Sequence, residues 1–113
     1  MMDKNKLKTF CDAQWDESVI PSITDYIRIP NKSPAFDPKW AEHGYMDKAV
    51  SLMENWAREK ITAIKGAKLE VIRLVGRTPL LFIDLPPNKN DDIALLYRHL
   101  ATQPEMKGWF EGF

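Results

Sequence analysis

Five consecutive apolar residues, Ile93-Ala94-Leu95-Leu96-Tyr97, lie between Asp91-Asp92 and Arg98-His99. A run this short, bounded by charges and free of glycine and proline, has the length of a strand and carries no polar face, which is the pattern of a strand buried on both sides. Such a strand demands a neighbour on each edge and a layer over each face. His99 then falls where the strand would stop, and open α/β sheets place their binding chemistry beyond the carboxyl ends of strands.

The segments upstream are of the kinds that would surround such a strand. Met46, Ala49, Val50, Met53, Trp56 or Ala57, Ile61 and Ile64 recur at three- and four-residue steps, which predicts one long helix stopped at Gly66. Its opposite face carries Glu54, Arg58, Glu59 and Lys60 and reads as solvated. From Lys68 to Val75 apolar residues are interspersed with Glu70 and Arg73. Gly76-Arg77-Thr78 then turns the chain into Pro79 to Leu85, predicting an antiparallel hairpin. Pro79 has no N–H to donate and belongs at an end or edge of its strand.

Two short helices are predicted at the start. Leu7, Phe10, Cys11 and Trp15 fit one face of the first, over residues 3–16. Asp16 or Ser18 caps the second, with Pro21 in its first turn, Ile20, Ile23 and Ile27 as its inward stripe, and Pro30 as its end. Ordinary core packing is expected of both, the alternative being a cover over a larger catalytic body. From Pro30 to Gly44, prolines and small polar residues predict a loop with one helical turn near Lys39 to Glu42, anchored by Phe36 and Trp40. The predicted fold is therefore α/β: two short helices, one long helix and a three-stranded mixed sheet containing the hairpin, in a single partial domain spanning residues 1–113.

Charge narrows the partners. Sixteen basic and sixteen acidic side chains cancel, so no general field draws nucleic acid or an anionic membrane, and neither is expected as a partner. A single cysteine, Cys11, cannot form an internal disulfide, and no segment approaches the ~20 apolar residues of a membrane span; both fit a cytoplasmic protein. There is no phosphate-cradling glycine loop, no Cys-x-x-Cys pair and no Gly-x-Ser-x-Gly elbow.

One stretch resembles a known family. Tyr97-Arg98-His99-Leu100-Ala101-Thr102-Gln103-Pro104-Glu105-Met106 is similar to the tyrosine-glycine-histidine-x-aspartate-x-glutamine-proline signature of the dinuclear zinc metallopeptidases, which include carnosinase-type dipeptidases, aminoacylases and carboxypeptidases. Gln103 to Met106 with Gly108-Trp109 resembles the dipeptidase branch. So do Tyr26-Ile27-Arg28-Ile29-Pro30-Asn31-Lys32-Ser33-Pro34, like its early loop, and Gly76-Arg77-Thr78-Pro79, like its hairpin turn. The resemblance implies the amino-terminal part of a metallopeptidase catalytic domain, a peptide substrate, two zinc ions in the complete enzyme and His99 as a ligand to one of them.

Two positions depart from that signature. Arg98 stands where the family has glycine, and Ala101 where it has the aspartate that supports the metal site. Loss of an outer-shell partner typically costs about 10- to 100-fold in metal affinity or activity. A catalytic zinc normally takes three protein ligands, and none of Cys11, His43, Asp91, Asp92 or Glu105 stands at ligand spacing from His99. With no intact catalytic set, the chain alone is expected not to hydrolyse peptides. The alternative expectation is a non-enzymatic interaction module that associates with itself or another protein through an exposed sheet edge.

Overall fold

A computed structural model describes residues 3–87, 89 and 92–108. The long helix lies at its centre. Helix α4 (Tyr45–Ile61) buries Met46, Ala49, Val50 and Ala57, one stripe at helical spacing and the whole buried apolar core among the described residues. The short helix α3 (Trp40–His43) leads into it through Gly44, whose φ of 69° is the left-handed turn that a side chain would resist.

The two predicted amino-terminal helices form one rod. Helix α1 (Lys4–Gln14) is capped by Asp3, whose side chain accepts from the Asn5 and Lys6 amides. It passes without a break through a π-helical segment (Trp15–Val19) into α2 (Ile20–Ile27). Pro21 explains the π segment. A proline inside a helix lacks an N–H and crowds the carbonyl four residues back. Here the preceding amide, of Ile20, reaches five residues back to Trp15, which widens the turn around the ring instead of ending the helix. Ser18 is accordingly not a cap; its Oγ accepts from Trp56 Nε1–H at 3.0 Å and ties the rod to α4. Ile20, Ile23 and Ile27 do not face inward. They are exposed, and Ser18, Val19, Ser22 and Tyr26 take the half-buried positions.

Strands β1 (Lys68–Ile72) and β2 (Leu80–Asp84) pair antiparallel, with Lys68 opposite Asp84 and Ile72 opposite Leu80. The connection runs from Arg73 to Pro79, longer than the predicted turn, and leaves Leu74 and Val75 exposed. An Arg73–Asp47 ion pair joins the end of β1 to the start of α4.

The three-stranded mixed sheet is not formed. Among the described residues the sheet has two strands, and Ile93–Tyr97 is irregular chain outside it, with Ile93, Leu95, Leu96 and Tyr97 exposed by 93%, 88%, 79% and 66%. The physical reason is that apolarity states what a strand needs without supplying it: among the described residues no other strand pairs with this run and no layer covers it. The same shortage is visible throughout. The chain exposes 10132 Å², against about 6,400 Å² for a compact monomer of this mass. Its radius of gyration is 17.3 Å, against about 13 Å for a compact domain of this length.

Candidate functional site

The two stretches that carry the family resemblance meet in space. After α2, the chain bends at Ile29-Pro30 and presents Asn31, which is 1% exposed. Asn31 Nδ2 donates to the Leu100 carbonyl at 2.8 Å, and the Tyr26 hydroxyl donates to the same oxygen. Asn31 Nδ2 also lies 3.4 Å from the Tyr26 hydroxyl. Backbone bonds continue the junction: the Thr102 amide donates to the Asn31 carbonyl at 3.1 Å and the Ser33 amide to the Thr102 carbonyl at 3.0 Å, a one-residue parallel bridge between Lys32 and Thr102. Outside it, Lys32 Nζ lies 3.0 Å from Glu105. The Glu105 carboxyl is held below its ordinary range, first by its own backbone amide and then by Lys32.

This clasp fixes Leu100, Ala101 and Thr102, all half-buried, immediately after His99. His99 itself is exposed. It does not stand at a strand terminus, since residues 92–98 form no strand, and its ring meets Tyr97 edge-on at 5.2 Å between centroids. The adjacent Arg98 guanidinium donates to the Tyr97 carbonyl.

The other candidate ligands lie apart from it. His43 Nδ1 is 2.8 Å from Asp37 Oδ2 at the start of α3, Cys11 is exposed on α1, and Glu105 is engaged by Lys32. Asp92 is exposed; Asp91 and Trp109 fall outside the described residues. Among the described residues no three His, Cys, Asp or Glu side chains converge to hold a metal ion. One exposed imidazole, flanked by a guanidinium and by the methyl of Ala101, does not by itself fit zinc. Any metal at His99 would need its remaining ligands from beyond these residues.

Asn31 and Tyr26 lie in the stretch that resembles the family's early loop, but the resemblance assigns neither of them a role. An asparagine before Lys-Ser-Pro has the signature of a loop residue, and nothing local indicates a partner 69 positions away. One feature of Asn31 is unusual: its Oδ1 is buried with no hydrogen-bond partner. A surface depression of about 430 Å³ lies between the proline-rich loop and the hairpin, with Trp40, Leu74 and Arg77 among its walls.

Comparison with models of known protein families finds no match, and a search of characterised proteins finds no relative. No helix among the described residues is long and apolar enough to cross a membrane.

Proposed function

We propose that this chain is the amino-terminal segment of a zinc-dependent, dipeptidase-like metallohydrolase, inactive by itself, with His99 contributing one metal ligand to the complete enzyme. The observation that carries the reading is the clasp. The early-loop stretch at 26–34 and the histidine stretch at 97–106, which resemble the family independently, are held together by Asn31, Tyr26 and the Lys32–Thr102 bridge. The large uncovered apolar surface supports it too, because a partial domain leaves faces that the rest of its fold would bury. The stripe of Leu7 and Phe10 on α1 and Trp15 at the start of the π-helical segment, exposed along its length, has the character of a cover for such a body. A cytoplasmic location belongs to the same reading, resting on the lone Cys11.

In the complete enzyme, zinc would polarise the scissile amide and activate water. This chain's own contribution would be to set the backbone position of His99 through Leu100. Two experiments test the proposal. Incubating the chain with dipeptides and added zinc, cobalt or manganese is expected to give no turnover; metal-dependent hydrolysis would overturn its inactivity. Sequencing the source transcript past Phe113 is expected to show a continuing frame with further Asp, Glu and His ligands, and an immediate stop would overturn the segment assignment.

A second reading is favoured by one observation of its own. Ile93–Tyr97 is apolar and exposed and belongs to no helix or strand, so its backbone is open to pairing with another chain. On that reading the protein is a non-enzymatic, self-associating module.

A further inference from the structure

The residues around the exposed run specify how it would pair. We propose that Ile93–Tyr97 is a homodimerisation strand, pairing antiparallel with the same strand of a second copy about Leu95. The proposal extends the self-association reading by naming its segment, its partner and its register.

The charge pattern selects this arrangement. Pairing about Leu95 sets Leu95 opposite the partner's Leu95, Ile93 opposite the partner's Tyr97 and Ala94 opposite the partner's Leu96. One step further out, Asp92 meets the partner's Arg98, and by symmetry Arg98 meets the partner's Asp92. Opposite charges directly across an antiparallel pair are favourable and like charges unfavourable. A parallel pairing in register would set aspartate against aspartate and arginine against arginine. A one-residue slip would move every side chain to the other face and break both ion pairs. Asp92 and Arg98 are both exposed. Arg98 spends one N–H on the Tyr97 carbonyl, leaving further donors for a carboxylate.

The two faces of the paired ribbon then differ. Ile93, Leu95 and Tyr97 project to one side, so two copies set six apolar side chains side by side. Ala94 and Leu96 occupy the other side, framed by the ion pairs. Five apolar residues without proline or internal charge, with β-favouring Ile93 and Tyr97 at the two ends, form a competent pairing segment. A two-stranded ribbon is only marginally stable in water, so a weak, concentration-dependent dimer is the expected species.

A charge exchange tests the register. Sedimentation equilibrium at low salt is expected to show a monomer–dimer equilibrium for the wild type. Asp92→Arg or Arg98→Asp alone places like charges opposite each other at two symmetry-related positions and should weaken dimerisation about 2- to 30-fold. The double variant D92R/R98D restores both pairs with their signs reversed and should return dimerisation to within about twofold of wild type. Isotope-filtered NMR of a mixed sample should show contacts between Ile93 of one copy and Tyr97 of the other. Circular dichroism serves as the fold control, since both sites are exposed. A wild type that stays monomeric at several hundred micromolar would overturn the proposal together with self-association. A dimer that the exchange does not restore would overturn the register alone.

Discussion

Replacing Asn31 by aspartate exchanges one NH₂ for an oxygen in a side chain that is 1% exposed, and that oxygen would face the Leu100 carbonyl from the place now occupied by Nδ2, at 2.8 Å. Two oxygens at that distance are tolerable only if one carries a proton. Burial and the facing carbonyl both disfavour the charged form, so the introduced carboxyl has a pKa raised above its unfolded value of about 3.9. The sign follows from linkage. Below about pH 3.9 the group is protonated in both states, and its O–H donates to Leu100 as the amide does. As pH rises above that value the clasp loses about 1.4 kcal/mol per unit, until the folded-state pKa is reached or the clasp opens. Two units above, the loss is about 2.7 kcal/mol, a factor of about 100 in the opening equilibrium.

Asn31→Ala provides the contrast. It removes the donor at a net cost of about 1 kcal/mol, or about fivefold, and this cost has no pH dependence. Removing the unpartnered Oδ1 partly offsets it. The assay is hydrogen exchange at the Thr102 amide, which bonds the Asn31 carbonyl across the junction, read against wild type at the same pH with β1 and β2 amides as internal controls. Exchange at Thr102 should accelerate steeply with pH in Asn31→Asp and uniformly in Asn31→Ala, while the hairpin is unaffected. Identical pH profiles for the two variants would refute the reasoning, because they would mean that position 31 does not face Leu100 from a buried site.

Val50→Ala removes two methyl groups at a fully buried position of α4, so a loss of about 1–3 kcal/mol is expected in urea denaturation; a change under 0.5 kcal/mol would be expected only of a surface position (~0.5). Trp56→Phe keeps most of the ring but leaves Ser18 Oγ without its indole donor, and a loss of about 1 kcal/mol in the same titration checks that the bond anchors the rod to α4. The Glu105 pKa is lowered first by its own backbone amide and then by Lys32, so the Lys32 contact is fully present above the ordinary value of 4.5 and is lost as pH falls through the lower folded-state value. Glu105→Gln should therefore abolish the acid-side change in the Lys32 NMR signals and place them at neutral pH close to those of the wild type at pH 3; an acid-side change that persists in the variant would refute the assignment.

What could be read from the sequence was what is local. The stripe on α4 is a repeat within one helix, and Met46, Ala49, Val50 and Ala57 are buried as the spacing requires. The hairpin is two nearby β-rich runs with Gly76 between them. The failures involve partners distant in the chain. Ile93–Tyr97 has the apolar run of a buried strand, but pairing belongs to the neighbour as much as to the strand, and none is in place among the described residues. The stripe at Ile20, Ile23 and Ile27 has the right period but the wrong direction, because the rod is oriented by Trp56–Ser18 and by Tyr26–Leu100. Pro21 has the usual mark of a helix start, which conceals a wider turn within a continuous helix. His99 was singled out by a motif. Asn31, which holds the chain beside it, lies inside the early-loop resemblance, but nothing local in the sequence points to its partner at Leu100.

The parallel bridge between Lys32 and Thr102 closes a very long circuit of chain, and this sets how evolution or engineering can treat the segment in between. The entropy of closing a circuit rises only with the logarithm of its length, so inserting about ten residues between β2 and Ile93 adds roughly 0.1 kcal/mol to the cost of docking the tail. The connection after the hairpin is therefore a permissive place for new sequence, whereas a single added residue between Asn31 and Ser33 would shift the bonding frame of the docked strand and release it.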